Sequence, residues 1–305
     1  MVKKESLTAL VSAFSRAYHA EHNLIKVFDD SLARQLLTDE EYESIASNMS
    51  QGIAFFQPGF EGTQEQALRR VVDHQLSPSP LGRAAFAEQA LEVAALHGAS
   101  QYLIFAAGYD TFAYRQPEWA SKLQIFELDH PATAEDKRRR VSALNCNKPS
   151  NLHYVSVDFS EPDWTSRMLD CHAFDPSVIS FSSLLGITYY LPKDVFKEFL
   201  SAVTKLLPSG SSIVFDYPDE HTFTAHAGER TQKQVMMAAR AGEPMQASYS
   251  YEELEHMLED VNLLIYQHLT PAEITGQLFQ AYNDSQPAHP ITAFDNVNYC
   301  LAVKR

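Results

Sequence analysis

The chain has 305 residues, enough for one large α/β domain with additions or for two smaller domains. Its formal net charge at pH 7 is −15, from 24 Lys and Arg against 39 Asp and Glu. Because phosphate backbones and anionic membrane surfaces are bound through clustered Lys and Arg, this balance argues against nucleic acid and membranes as partners.

The three cysteines, Cys146, Cys171 and Cys300, are far apart in the sequence and form no Cys/His cluster. They support neither a disulfide framework nor a zinc site, and no metal is expected. Reduced thiols are typical of the cytoplasm, and the first residues resemble the start of a helix more than a signal peptide. We therefore expect a cytoplasmic protein, and no apolar run in the sequence approaches membrane-spanning length.

Residues 1–80 are predicted to be helical. Leu7, Leu10 and Phe14 recur at helical spacing. The run Ser77-Pro78-Ser79-Pro80 is predicted to break this helical region before a strong helix at 83–97.

From residue 83 onward, helical and strand patterns alternate. The predicted strands are 102–107, 123–128, 152–159, 178–184 and 211–217, and the predicted helices between them include 133–144 and 193–207. Such alternation predicts a doubly wound, parallel sheet. A polar, helical insert near 220–248 interrupts it, and two further strands are predicted at 263–269 and 298–303.

A candidate ligand site lies where the first two of these strands end. The first strand runs into Gly108, and the second leads to Asp129, 21 positions later. A glycine turn after one buried strand and a carboxylate at the tip of the next are typical of a nucleotide-type site. The glycine lets the backbone approach a ligand, and the carboxylate accepts hydrogen bonds from a pair of ribose hydroxyls.

The turn favours S-adenosylmethionine over a dinucleotide. A dinucleotide site has the pattern G-x-G-x-x-G leading into a long helix, whereas this turn has one glycine and Pro117 follows soon after it. Asp110 in the turn would repel a pyrophosphate, but it would not repel a sulfonium ligand that carries an amino group.

Five segments carry a resemblance to a known family. They are SRAYHA from Ser15, AAGYDTFAYR from Ala106, FELDHPATAEDKRRR from Phe126, VSVDF from Val155 and GITYYL from Gly186. In this order and spacing they resemble the leucine carboxyl methyltransferase family, including its branch of small-molecule and polyketide O-methyltransferases. The resemblance implies a Rossmann-like class I methyltransferase domain at 81–305, with a seven-stranded, mostly parallel sheet, an antiparallel last strand and an N-terminal helical cap at 1–80.

The resemblance also implies which residues bind S-adenosylmethionine. Arg83 would pair with the carboxylate of the cofactor, Asp129 or Glu127 would hold the ribose, and Asp158 would contact the adenine amino group, with Phe159 against the ring. The complete set implied for the cofactor is Arg83, Ala106, Ala107, Gly108, Asp110, Glu127, Asp129, His130, Asp158, Phe159, Ser183 and Leu184.

Two residues are candidates for catalysis. Tyr190, like its neighbour Tyr189, follows the fourth predicted strand and could either line the methyl-transfer pocket or pack as an ordinary aromatic residue. His19 lies in the N-terminal match, where the family's helices cover the active site. An acceptor carboxylate is ionised at pH 7 and needs no base, whereas an acceptor hydroxyl would call for one, and Tyr190 or His19 would serve.

The sequence predicts an S-adenosylmethionine-dependent methyltransferase that methylates a carboxylate or hydroxyl oxygen of a small molecule. Two departures from the family pattern bear on this: Ala106 replaces the first glycine of the turn, and Leu185 replaces a glutamate. The second favours the small-molecule branch over protein carboxylates. A non-catalytic, cofactor-binding member and an NAD-dependent oxidoreductase are the alternatives, and the oligomeric state is left open.

Overall fold

The computed structural model of the chain describes residues 7–144, 146–159, 161 and 163–305, and within them seven strands form a single sheet. The strands are β1 (Gln101–Phe105), β2 (Gln124–Asp129), β3 (Leu152–Ser156), β4 (Ser180–Leu184), β5 (Ser212–Pro218), β6 (Leu263–Leu269) and β7 (Val297–Lys304). Their order across the sheet is β3-β2-β1-β4-β5-β7-β6.

The sheet is parallel except at one strand. β1 pairs in parallel with β2 on one side and β4 on the other, and β3 and β5 extend the parallel part. β7 lies antiparallel between β5 and β6. The predicted α/β class, mostly parallel sheet and antiparallel last strand are confirmed. Chain order reverses between β1 and β4, so their carboxyl ends flank the crevice where open α/β sheets bind ligands.

Helices precede the sheet and connect its strands. They are α1 (Leu7–His22), α2 (Ser31–Gln35), α3 (Asp39–Gln51), α4 (Ile53–Phe56), α5 (Gln64–Val71), α6 (Pro78–Leu96), α7 (Phe112–Arg115), α8 (Pro131–Ser142), α9 (Trp164–Leu169), α10 (Lys193–Leu206), α11 (Glu229–Arg240), α12 (Tyr251–Asp260), α13 (Pro271–Ile274) and α14 (Gln280–Ser285). Val72–Leu76 and Thr275–Phe279 are π-helical turns, and Glu118–Lys122 and Thr188–Tyr190 are 3₁₀ turns.

Both faces of the sheet are covered. Side chains of β1 alternate between them, as a strand's two-residue period requires. Tyr102 and Ile104 join the apolar core that α6 contributes to, whereas Leu103 and Phe105 join the core built with α9, α10 and α12. Burial on both faces explains why β1 is a continuous apolar run.

The N-terminal helices form a third apolar cluster, which reaches the candidate site. Phe14 of α1, Leu36 and Val71 are buried in it together with Tyr109, which directly follows Gly108 in the turn after β1. The N-terminal helices are therefore packed against the turn that the sequence assigns to the cofactor.

The helical region is interrupted at Ser77, but the predicted break at 77–80 is too long. Helix α6 begins at Pro78, and the π-helical turn Val72–Leu76 leads into it. Proline lacks a backbone N–H, but the N–H groups of a helix's first turn have no partner within the helix, so Pro78 and Pro80 are accommodated there. Arg83 consequently lies in the second turn of α6 and not at its start.

The connection from β5 to α12 leaves the regular alternation. It contains α11, within the region predicted as a polar helical insert. Taken over the described residues, no helix combines the length and the apolar character needed to cross a membrane.

Candidate functional site

The turn after β1 is in a left-handed conformation at two positions. Ala106 has φ 50° and Gly108 has φ 52°. Glycine adopts this conformation freely, whereas alanine loses about 1–2 kcal/mol in it. Ala106 therefore holds a conformation that suits the glycine expected from the family pattern, and the surrounding structure maintains it.

The turn is bonded to the tip of β2. The backbone N–H of Gly108 donates to Asp129 Oδ2 over 2.5 Å, and Asp129 Oδ1 accepts from the backbone N–H of His130 over 2.7 Å. Burial raises the pKa of Asp129, although the two backbone N–H donors oppose the effect. One predicted ribose ligand and the predicted turn thus meet directly.

The predicted adenine contact lies on the same edge of the sheet. His130 Nε2 is 3.9 Å from Asp158 Oδ2, and Asp158 follows β3 in the chain. His130 Nδ1 accepts from the backbone N–H of Ala132 and so caps α8. Gly108, Asp129 and Asp158 therefore lie in sequence along one rim formed by β1, β2 and β3.

Phe159 lies beside this rim in an aromatic cluster. Its ring centroid is 6.0 Å from that of Phe105, 5.5 Å from that of Trp164 and 5.7 Å from that of Phe199. The side chain is half-buried. Packing fixes the ring near Asp158, and its contact with an adenine ring stays a prediction.

Glu127 lies two residues before Asp129 on β2 and is buried. Lys137 Nζ of α8 donates to Glu127 Oε2 over 2.5 Å, and both side chains are 2% exposed. Burial raises the pKa of Glu127 to about 7, with Lys137 acting in the opposite direction. Glu127 Oε1 has no hydrogen-bond partner among the described residues. Because Glu127 is buried below the rim, Asp129 is the better placed of the two to bind a ribose.

Arg83 lies on the opposite side of the crevice, against the loop after β4. An ideal Cβ built on Gly186 would lie 2.1 Å from Arg83 Nη1, so the guanidinium occupies the space that a side chain there would fill. Gly186 also has φ 74°, which favours glycine independently. The absence of a side chain at this position is what lets Arg83 reach the crevice.

Asp216, in the last three residues of β5, organises this side of the site. It is fully buried and lies 3.5 Å from Arg83 Nη1. Its Oδ1 accepts from the backbone N–H of Gly186 over 2.6 Å, and Tyr189 donates its hydroxyl to Oδ2. Burial has the largest single effect on the pKa of Arg83 and would lower it, but Asp216 and the surrounding tyrosine hydroxyls together outweigh burial, and the pKa is raised. Sequence analysis missed Asp216, although an acid near the carboxyl end of an apolar strand was the available signal.

A cavity of about 800 Å³ opens between these two sides. Seven of the predicted residues line it: Arg83, Ala106, Ala107, Gly108, Asp110, Ser183 and Tyr190. Seven do not: His19, Glu127, Asp129, His130, Asp158, Phe159 and Leu184. Of these seven, Asp129, His130, Asp158 and Phe159 lie on or beside the rim that continues from Gly108.

Leu184 does not offer a side chain to the cavity. It is buried in the core on the α10 face of the sheet, so only its backbone could contact a ligand. Ser183, one residue earlier, points to the other face, where its Oγ lies 2.9 Å from the Tyr102 hydroxyl. The alternation of the strand explains why Ser183 lines the cavity and Leu184 does not.

The predicted catalytic role of His19 is wrong. The side chain is 1% exposed and outside the cavity, and its Nε2 accepts from the backbone N–H of Val27. Its ring also packs against Tyr282. Burial lowers the pKa of His19 to about 4. It is a neutral core residue that holds the chain after α1.

Tyr190 lines the cavity, but its environment does not favour a base. Burial raises the pKa of its hydroxyl, and the carboxylate of Glu243 acts in the same direction. A general base needs a pKa near the working pH. Tyr190 therefore offers a protonated hydroxyl that can donate a hydrogen bond. Tyr189, by contrast, is buried and engaged with Asp216.

A buried ion-pair network ties α1 to the turn after β1. Arg16 Nη1 pairs with Asp30, and Arg16 Nη2 donates to the carbonyl of Tyr109 over 2.9 Å. Asp30 Oδ1 accepts from the Thr111 hydroxyl over 2.7 Å and lies 3.7 Å from Arg115 Nε. These contacts join the N-terminal helices to Tyr109 and Thr111, the residues on either side of Asp110.

Comparison with known proteins identifies relatives along the whole chain. A family model described as leucine carboxyl methyltransferase matches residues 9–204. YktD of Bacillus subtilis (strain 168), described provisionally as an S-adenosyl-L-methionine-dependent methyltransferase, is 40% identical over 307 aligned residues that cover 99% of each chain. A protein of Mycobacterium avium (strain 104) with the same provisional description is 30% identical over 194 residues, which cover 63% of each chain.

Two solved structures share the fold. A DUF574 family protein from Streptomyces avermitilis MA-4680 has a TM-score of 0.60 at 14% identity, with 96% of this chain and 97% of that chain covered. A protein of Thermobifida fusca YX, described provisionally as a methyltransferase, has a TM-score of 0.56 at 15% identity, with 99% and 96% covered. As its sequence motifs predicted, and as the family match and the 40% identity to YktD show, the chain belongs to the leucine carboxyl methyltransferase family.

Proposed function

We propose that this protein transfers a methyl group from S-adenosylmethionine to an oxygen atom of a small-molecule acceptor. The observation that carries the proposal is that one cavity, of about 800 Å³, reaches both the Gly108 turn and Arg83. Its volume is within the range of small-molecule sites. Helix α1 contributes to the lining, so residues 1–80 would act as a helical cap over the site. The provisional description of YktD supports S-adenosylmethionine-dependent methyl transfer and names no acceptor.

The residues around the crevice fit S-adenosylmethionine. Arg83 offers a guanidinium to the carboxylate of the cofactor, and a guanidinium matches a carboxylate in shape and charge. Gly108 has no side chain, so its backbone can approach the cofactor closely. Asp129 retains acceptor capacity for a ribose hydroxyl beyond its two backbone bonds, and Asp158 lies farther along the rim toward an adenine.

The same geometry disfavours a dinucleotide. A pyrophosphate binds at the N-terminus of a long helix that follows the glycine turn. Here the following helix, α7, has only four residues, and Asp110 accepts from the backbone N–H of Phe112 at its start. The carboxylate of Asp110 thus takes the place that a phosphate would need.

Bound S-adenosylmethionine supplies an electrophilic methyl group on a sulfonium. The chain's contribution is to position the acceptor in line with that methyl group and to exclude water, which lowers the barrier chiefly through proximity and orientation. Tyr190 lines the same cavity as Gly186 and Arg83, and its hydroxyl would hold the acceptor by a hydrogen bond.

Calorimetric titration with S-adenosylhomocysteine tests the cofactor assignment. We expect the Asp129→Ala variant to bind at least about tenfold more weakly than wild type, since a hydrogen bond to a charged group contributes about 1.5–3 kcal/mol. Asp170→Ala, at an exposed carboxylate after α9, is the control and should bind normally. Unchanged affinity in Asp129→Ala would contradict the assignment.

Turnover distinguishes an enzyme from a cofactor-binding module. Wild type incubated with S-adenosylmethionine and a panel of alcohols, phenols and carboxylic acids should release S-adenosylhomocysteine and a methylated oxygen in at least one case. Tight binding of S-adenosylhomocysteine with no turnover across the panel would favour the non-catalytic alternative.

A further inference from the structure

We propose that Arg240 binds an anionic group of the methyl acceptor, so that the acceptor is an amphipathic molecule with an apolar body and a carboxylate. This inference rests on the proposed function, and it names a substrate class and a specificity-determining residue for the same site. The carboxylate serves for recognition, whichever oxygen of the acceptor is methylated.

Three arginines supply the positive charge of the described cavity lining, which includes no lysine or histidine. Arg16 is paired with Asp30 and also donates to the carbonyl of Tyr109 over 2.9 Å. Arg83 faces Asp216 and would bind the carboxylate of the cofactor. Two of the three cationic side chains are therefore engaged before an acceptor enters.

Arg240, the last residue of α11, is the third arginine. Its guanidinium carbon lies 5.2 Å from the ring centroid of Phe55 in α4. Within the described part of the chain, its side chain makes no hydrogen bond and pairs with no carboxylate. Acids are abundant, since the chain has 39 Asp and Glu against 24 Lys and Arg. An arginine that lines the cavity without an acidic partner is therefore available to an anionic ligand.

The contact with Phe55 positions this guanidinium without using its donors. A guanidinium over an aromatic ring is held by the ring electrons, whereas its five N–H groups point outward in its own plane. A carboxylate can accept two of these groups side by side. Lys233 also lies near Phe55, but it is already bonded to Glu229 and to the carbonyl of Phe56. Arg240 is therefore the better placed of the two cations to bind a carboxylate.

Arg240 lies at the opening of the cavity, next to an apolar wall. Its side chain is exposed although it contributes to the lining. Met237, three residues earlier on the same helix, lies beside it on the helix surface, is half-buried and also lines the cavity. Val11 of α1 and Met49 near the end of α3 add further apolar surface. An apolar body against these side chains, with a carboxylate at Arg240, would match both parts of the lining.

The cavity also holds negative charge that would oppose an anion. Asp110 and Glu243 both contribute to the lining. Asp110 belongs to the cofactor turn, where the ammonium group of bound S-adenosylmethionine would offset its charge. Glu243 Oε2 accepts from the Thr8 hydroxyl over 2.6 Å. An anionic acceptor consequently needs a cation of its own, and Arg240 supplies it.

Pairs of probes with the same shape and different charge test the proposal. Binding of 1-naphthoate and octanoate, and of the primary amide of each, is measured at pH 7.5 by calorimetry, both to the free protein and to protein saturated with S-adenosylhomocysteine. We expect at least one carboxylate to bind the saturated protein about fivefold more tightly than its amide, as for a well-oriented exposed ion pair. Amides that bind as tightly as both carboxylates would overturn the proposal, as would no carboxylate binding at millimolar concentration.

Variants at Arg240 give a matched second test. Arg240→Gln removes the charge and should abolish the carboxylate preference while leaving the affinity for S-adenosylhomocysteine unchanged. Arg240→Lys keeps the charge without the planar fork and should retain part of the preference. Arg167→Gln, at an exposed position of α9 outside the lining, changes the net charge by the same amount and should keep the full preference. A preference that survives in Arg240→Gln, or that falls equally in Arg167→Gln, would contradict the assignment.

The two titrations separate this proposal from the proposed function. If S-adenosylhomocysteine does not bind, the proposed function fails, and the probes on the free protein still decide whether Arg240 selects a carboxylate. If S-adenosylhomocysteine binds and the wild type shows no carboxylate preference, the cofactor assignment stands and the acceptor class is wrong.

Discussion

The guanidinium of Arg83 fills the space where a side chain at Gly186 would lie, with Nη1 only 2.1 Å from an ideal Cβ at that position. Arg83 comes from α6 and Gly186 from the loop after β4, so the proposed carboxylate ligand depends on a glycine 103 positions away in the sequence. Asp216 holds both, since it accepts from the backbone N–H of Gly186 and faces the guanidinium.

The first prediction concerns Gly186→Ala. The new methyl group must displace the guanidinium of Arg83, so the affinity for S-adenosylhomocysteine should fall at least about tenfold, as expected when one charge-assisted hydrogen bond is lost. Gly98→Ala is the matched control, because Gly98 also has a left-handed backbone but has no atom within 4 Å of its ideal Cβ. Both variants should lose stability to backbone strain, and only Gly186→Ala should lose affinity. If calorimetric titration gave Gly186→Ala and Gly98→Ala equal affinities for S-adenosylhomocysteine, Arg83 would not bind the cofactor.

The second prediction concerns Ala106→Gly. Ala106 adopts φ 50°, a conformation that costs alanine about 1–2 kcal/mol. Glycine removes this cost but loses more conformational freedom on folding, which offsets part of the stabilisation. The free energy of unfolding should therefore rise by about 0.5–1 kcal/mol. Ala107→Gly, at a position without the left-handed backbone, should instead lower it by about 0.5–1 kcal/mol. Urea denaturation of the two variants provides the measurement, and a destabilised Ala106→Gly would contradict the strain argument.

The alternation of strands and helices made the sheet and its ligand-binding edge predictable from the sequence. Parallel strands place their carboxyl ends at one edge, so the spacing of Gly108 and Asp129 was enough to bring the turn and the acid together. The helix start at Pro78 was less predictable, because a proline ends a helix in its interior yet is accommodated in its first turn.

The acceptor side of the site could not be predicted from local patterns. Thr8 and Glu243 are 235 positions apart and are joined by a hydrogen bond in the cavity lining. No periodicity in α1, or in the segment after α11 that contains Glu243, indicates that the two meet. His19 was assigned wrongly for a related reason: its burial depends on Val27 and Tyr282, and nothing within its own helix shows it.

The third prediction concerns Asp30, the buried carboxylate that joins α1 to the turn after β1. Asp30→Ala leaves the Arg16 guanidinium buried without its partner and removes the acceptor for the Thr111 hydroxyl, so it should destabilise the protein by about 3–5 kcal/mol. Asp29→Ala, one residue earlier, removes only a partly exposed pair with Lys26 and should cost less than about 1 kcal/mol. Chemical denaturation compares the two variants.

The same pair of variants tests the link to the cofactor turn. Because Arg16 also donates to the carbonyl of Tyr109, its release in Asp30→Ala should loosen the Gly108 turn and weaken S-adenosylhomocysteine binding. Asp29→Ala should bind normally. If Asp30→Ala unfolds too readily to titrate, Asp30→Asn keeps the shape of the side chain and provides the measurement. Normal binding by a folded Asp30 variant would show that α1 and the turn are energetically independent.

The last prediction concerns the pH dependence of stability. Burial raises the pKa of Glu127 from 4.5 to about 7, so between these values the native protein holds a proton that the unfolded chain has released. Stability from this group is therefore present below pH 4.5 and is lost as the pH rises through about 7. Relative to Glu127→Gln, which does not titrate, wild type should lose up to about 3 kcal/mol across this window. Glu92→Gln, at an exposed position of α6, should show a constant difference from wild type. Urea denaturation at pH 5, 6, 7 and 8 gives both curves, and a flat difference for Glu127→Gln would mean that Lys137 keeps Glu127 ionised throughout.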